Sequence, residues 1–275
     1  MNSRIARGGK MIEGARLVRD SVRTFADIVR LNRQRAGTRR AGSAALAAAE
    51  AGTVKPFVYD EALEVLMARG VAEFHLREGS VPRASLELCA RALHEHLPSG
   101  RALTAVHVGN FVGVSLAFFA SVLSEKHAGS VVVGLDPNLP HRGIANPAEH
   151  VLALLTHFGL AASTIVVPGF SLERNLGDDA ASASVPACLQ VLSSLAQIAR
   201  PFDLAIIDGN HDPEYLEREL NQLDSMLSPG AIVILDDVNE AAHPGVVALF
   251  SRLVGEGTYE PLAQDGRVAL LRRAV

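Results

Sequence analysis

The chain of 275 residues has no tryptophan, only three tyrosines and only two cysteines. Nor does it have an apolar run of bilayer length: the longest, residues 111–123, is interrupted by Gly113, Ser115 and Ser121. That run falls well short of the roughly 20 residues a membrane-spanning helix needs. Cys89 and Cys188 lie far apart with no C-x-x-C pair, which argues against a disulfide framework or a thiolate zinc site and leaves two ordinary buried thiols. The N-terminus lacks the compact apolar stretch and small-residue cleavage site of a secretory leader, so the expected location is cytoplasmic. Neither G-x-G-x-x-G nor G-K-[ST] occurs, so the dinucleotide and P-loop fingerprints are both missing.

What is present is a soluble globular composition, 48% hydrophobic and 20% charged, with its charge unevenly placed. Residues 1–40 hold eleven Lys and Arg against Glu13, Asp20 and Asp27, a net of +8, while the whole chain carries −4. The remainder therefore carries −12. From Ile12 the apolar residues Ala15, Val18, Val22, Phe25 and Val29 recur at helical spacing among arginines, which predicts a basic amphipathic helix. Packing on the acidic body or on a second subunit is the favoured role. Peripheral contact with an anionic membrane is the alternative, and nucleic acid is the weaker partner. Residues 1–52 form this helix and a linker, and residues 53–98 a helical lid or acceptor segment with helices at 59–68 and 85–97.

Residues 99–275 alternate short β-branched runs with helical segments. Strands are predicted at 104–108, 131–135, 164–167, 204–207 and 232–235, each hydrophobic almost throughout, as strands covered on both faces must be. Residues 258–262 and 267–270 flank the turn Gln264-Asp265-Gly266 and predict a C-terminal antiparallel hairpin. The expected fold is α/β, a doubly wound seven-stranded sheet, mostly parallel, with added N-terminal helices.

Ligands of such sheets bind beyond the carboxyl ends of the strands, so the strand ends carry the chemistry. The first runs into His107-Val108-Gly109-Asn110-Phe111-Val112-Gly113-Val114-Ser115, where Gly109 and Gly113 permit a tight turn before a helix N-terminus. The second ends at Asp136-Pro137, where a carboxylate can accept bonds from both ribose hydroxyls. Together they point to an adenosine-bearing cofactor without a pyrophosphate. The fourth strand ends at Asp208 and the fifth at Asp236-Asp237, three carboxylates whose mutual repulsion calls for a cation such as Mg2+ or Mn2+. His211 lies three residues beyond Asp208 and suits proton removal near neutral pH.

These segments resemble the class I S-adenosylmethionine-dependent methyltransferases, Rossmann-like enzymes, and within them the metal-dependent O-methyltransferase branch with its catechol-type and macrolide-sugar members. The specific part is the pair formed by residues 202–209 and 227–238. The resemblance implies that His107, Gly109, Asn110, Phe111, Gly113, Ser115, Asp136, Pro137 and Asp208 line the cofactor site. It further implies that Asp208, Asp236 and Asp237 hold the metal and that His211 is the base acting on a hydroxyl. His107 stands where an acid is usual in the family, and Asp237 where the catechol-type members commonly have Asn. With 5% aromatic residues and no Trp, a sugar or glycolipid acceptor is favoured over a planar one. The alternatives are a metal-independent N- or O-methyltransferase and a catalytically silent cofactor-binding module. A serine hydrolase using Ser171, Asp208 or Asp236, and His243 is disfavoured, because Gly169-Phe170-Ser171-Leu172-Glu173 lacks the second glycine of a nucleophile elbow.

Overall fold

The computed structural model describes residues 54–172, 201–238, 241 and 243–274. The amphipathic helix and linker expected at 1–52, and Cys188, lie outside the described residues. Three helices come first, α1 (Tyr59–Ala68), α2 (Glu73–Gly79) and α3 (Arg83–His96). Then follow β1 (Thr104–Val108), α4 (Val114–Lys126), β2 (Val131–Asp136), α5 (Pro147–His157), β3 (Thr164–Pro168), β4 (Phe202–Ile207), α6 (Pro213–Asp224), β5 (Leu227–Leu235), α7 (Pro244–Gly255), β6 (Tyr259–Gln264) and β7 (Ala269–Arg273).

The seven strands form one sheet in the order β3-β2-β1-β4-β5-β7-β6. All neighbours are parallel except β7, which is antiparallel to both β5 and β6. This is the doubly wound sheet with a terminal hairpin that the hydrophobic runs predict.

Alternation of side chains across the strands explains why those runs are continuous. Ala105, Val132, Leu204, Ile206, Ile232 and Ile234 pack with α3, α4 and α5 on one face. Val106, Val133, Ala205, Ile207, Val233 and Leu235 pack with α6 and α7 on the other. Helix α4 has no solvated side: ten of its thirteen residues, Val114 through Leu123, are buried, so it serves as the core of the first layer. The N-terminal helices join the same layer, with Ala62, Leu63, Leu66, Leu76, Leu86 and Leu93 all in its cluster.

The chain winds outward from β1 to β2 and β3 in one direction and to β4 and β5 in the other, so strand order reverses between β1 and β4. The crevice such a reversal leaves is the ligand site of open α/β sheets. Here the ladder continues past the strand ends: Gly109 N donates to Leu135 O at 2.9 Å, Asp208 N to Val108 O at 2.9 Å and Asp236 N to Ile207 O at 3.1 Å. The loops carrying the chemistry are thereby fixed to one another by backbone bonds.

Candidate active site

The glycine loop after β1 is held by one carboxylate. Asp136, at the end of β2, accepts the backbone N–H groups of Asn110 and Phe111 on Oδ2, at 2.7 and 3.1 Å, and that of Asn138 on Oδ1 at 2.6 Å. A carboxylate offers about four acceptor positions, so room remains for a ligand hydroxyl. Gly109 adopts φ +85°, and a Cβ there would lie 2.0 Å from the carbonyl oxygen of Asp208. Only glycine lets the first and fourth strand ends approach so closely. Gly113, at φ +95°, forms the N-cap of α4 and turns the free N–H groups of the helix toward the crevice. Phe111 is held at φ +47° with its ring packed against Gly79 at the end of α2 and edge-on to His141 at 5.8 Å. An ion pair from Arg142 to Glu78 at 2.8 Å closes the same side. Pro137 lies partly buried beside this loop.

The buried side chains beneath the loop are polar. His107 is fully buried on β1, with Nε2 3.0 Å from Ser115 Oγ on α4. Its Nδ1 and the side-chain amide of Asn110 are both buried and lie close to each other, without a hydrogen bond of good geometry. Burial pushes the imidazole down to about 3, so it is neutral under ordinary conditions. Ser115, expected to line the cofactor site, faces His107.

The neutral histidine has a measurable consequence. Between its unfolded value of 6.5 and its folded value of about 3, the unfolded chain holds a proton that the native state refuses. Stability from this group is therefore lost as pH falls below 6.5, at about 1.4 kcal/mol per pH unit. We expect His107→Gln to lose about 2 kcal/mol less than the wild type between pH 7 and pH 5. Urea unfolding at the two pH values checks this; equal losses would mean that His107 does not carry the acid sensitivity.

Asp208, Asp236 and Asp237 converge on the rim, and they are already provided with partners. Arg267, just past the β6–β7 turn, donates from Nε to Asp236 Oδ1 at 2.9 Å and from Nη2 to Oδ2 at 2.7 Å. Its Nε also lies 3.4 Å from Asp237 Oδ1. Desolvation and the neighbouring Asp236, to which it hydrogen-bonds, push the Asp208 carboxyl well above the usual range. Burial pushes Asp237 upward too, but His211, Arg267 and His243 outweigh it and hold that carboxyl below its ordinary value.

Beyond Asp237 stand two imidazoles. Its Oδ2 lies 2.6 Å from His211 Nε2 and 3.6 Å from His243 Nε2, and the two rings are stacked 4.2 Å apart at 30°. The approach of His211 is close but poorly aligned, since its Nε2 makes no well-directed hydrogen bond. Asp237 itself is at φ +58°, a left-handed backbone that swings its side chain toward the imidazoles. His211, Asp237 and His243 bring three ligand-type atoms within 4.8 Å of one another. Sequence reasoning gave His243 little weight and did not single out Arg267, because neither stands at a strand end. The placement of Asp237 beside both imidazoles is visible only in the fold. Ser171, the serine weighed as a nucleophile, meets Tyr215 OH at 3.0 Å.

The doubly wound sheet, with a glycine loop and a strand-end carboxylate at its switch point, has the Rossmann-like fold also seen in solved methyltransferases. Residues 106–238 match the family model described as a methyltransferase domain. Solved structures agree on the fold. A putative O-methyltransferase from Klebsiella pneumoniae is 17% identical, with a TM-score of 0.56 over 79% of this chain and 90% of its own. The O-methyltransferase from Bacillus cereus in complex with S-adenosylhomocysteine is 18% identical, with a TM-score of 0.53 over 80% and 94%. A TDP-rhamnose 3'-O-methyltransferase of calicheamicin biosynthesis is 19% identical, with a TM-score of 0.51 over 78% and 92%. No curated protein matches the chain.

Proposed function

We propose that the protein transfers the methyl group of S-adenosylmethionine to a hydroxyl oxygen of a small molecule, sugar or glycolipid. The observation that carries this reading is the contact between Gly109 and Asp208, which places the cofactor loop and the histidine-bearing rim on one crevice. The residues fit the cofactor. Asp136 retains acceptor capacity for a ribose hydroxyl, and the α4 N-terminus offers N–H groups.

When bound, S-adenosylmethionine would supply an electrophilic sulfonium methyl, open to in-line attack by the acceptor oxygen, with neutral S-adenosylhomocysteine as the leaving thioether that keeps the S–C electron pair. His211 takes the acceptor proton, with Asp237 beside its Nε2 so that Nδ1 is the atom available as base. Arg267 keeps Asp236 and Asp237 fixed, and the crevice holds donor and acceptor within reach.

A hard dication held by Asp208, Asp236 and Asp237 is not fitted by these residues as they stand. Both oxygens of Asp236 accept from Arg267, whose Nε also lies 3.4 Å from Asp237 Oδ1. No step is routed through a metal. The TDP-rhamnose enzyme of like fold makes sugar hydroxyls the first acceptor class to assay.

The test is calorimetric titration with S-adenosylhomocysteine, with Mg2+ and with a chelator, followed by transfer of labelled methyl to sugar and catechol hydroxyls. Micromolar binding unaffected by chelation, with label on oxygen, is expected. Absence of binding under both conditions would favour a silent cofactor-fold module.

A further inference from the structure

Three carboxylates on one rim need a compensating positive charge, and the chain supplies it internally. We propose that Arg267 is the resident cation of the acceptor site, a positioning residue occupying the place that a divalent ion would otherwise take between Asp236 and Asp237. The inference rests on the methyltransferase reading above.

The guanidinium is built into the fold. Asp265 Oδ1 accepts the backbone N–H groups of Arg267 and Val268 at 2.7 and 2.8 Å, and Val238 N donates to Arg267 O at 2.8 Å. The β6–β7 turn is thus tied to the segment carrying Asp236 and Asp237. From that anchored backbone the side chain forms a two-nitrogen fork on Asp236, with a third contact to Asp237. Its side chain is 23% exposed and that of Asp236 only 2%, so the pair closes the floor of the rim. Such a fork matches carboxylate geometry and never loses its charge. An ion seated on the same oxygens would have to displace it.

The consequence is chemical. The acceptor need not chelate a metal, so hydroxyls on adjacent carbons are not required, and methyl transfer proceeds in the presence of chelators. Orientation falls to His211, Asp237 and the crevice wall.

The test uses Mn2+ as probe on the full chain saturated with S-adenosylhomocysteine, following the electron paramagnetic resonance signal of the free aqueous ion. Wild type is expected to leave that signal undiminished. Arg267→Ala, which exposes the carboxylates, is expected to bind one Mn2+ at least about tenfold more tightly than wild type, and a further Asp236→Asn to abolish the gain. Arg267→Gln, closer in shape, carries the same expectation if the alanine variant does not fold, and Arg267→Lys should resemble wild type. Uptake by wild type as tight as by the variants overturns the proposal; Asp236→Asn and His243→Ala then show whether the ion sits on the carboxylates or on His211, Asp237 and His243. A folded Arg267→Ala or Arg267→Gln that gains no Mn2+ overturns it equally. Loss of S-adenosylhomocysteine binding in wild type itself sinks the methyltransferase reading instead.

Discussion

Asp136→Ala is expected to weaken S-adenosylhomocysteine binding by roughly 100- to 1000-fold while leaving the sheet folded. One carboxylate holds the glycine loop through Asn110 N and Phe111 N, and the next loop through Asn138 N. Bonds to a charged acceptor are worth about 1.5–3 kcal/mol each. Their removal releases Phe111 from a left-handed backbone that a bulky residue does not adopt without support. It also removes the acceptor offered to the ribose. The loss should therefore exceed that of a single contact, because binding would have to rebuild the loop as well as forgo the bond. Asp136→Asn keeps one acceptor oxygen but turns an amide N–H toward other N–H donors, and should fall between. Calorimetry measures the affinity and thermal unfolding controls for the fold. An alanine variant that binds within a few-fold of wild type would mean that the crevice is not the cofactor site.

Much of this architecture is readable from residue order because it depends on local pattern. Residues 59–68 and 104–108 need only the spacing of their apolar positions, and there the expected and observed elements coincide. Strand β5 begins at Leu227, five residues before the hydrophobic run suggests. Its start crosses Pro229 and Gly230, which interrupt the apolar pattern, and the pairing register shifts over the same stretch. Helix α2 went unseen because it spans seven residues and buries only Leu76, too little to set a period. The candidate site divides in the same way. Gly109, Asp136 and Asp208 are legible because strand ends are legible. Arg267 is not, because the charge it meets is 31 residues away in sequence. Three strand-end acids suggest a divalent cation, whereas the cation that the fold brings to Asp236 and Asp237 is a side chain from a distant turn.

His211→Gln is expected to lower the rate of methyl transfer by about 10²–10⁴, with S-adenosylhomocysteine affinity changed by no more than about twofold. The size follows from the loss of a positioned base: the amide fills the same space and can hydrogen-bond but takes up no proton. The selectivity follows from position, since the cofactor contacts proposed above centre on the glycine loop and Asp136, at the ends of β1 and β2, and not on α6. Asp237→Asn should fall in the same direction, because the carboxylate that sets His211's proton on Nε2 is replaced by a group that is itself half donor. His243 stacks on His211 and lies farther from that carboxylate, so His243→Gln should cost less than either. The pH profile distinguishes a base from a packing residue. Any acid limb of the wild-type rate profile that belongs to the base should vanish in His211→Gln, leaving a low, flat rate. A His211→Gln protein that keeps the limb, or keeps most of the rate, would move the proton-accepting role away from His211 and make His243 the next atom donor to test on this rim.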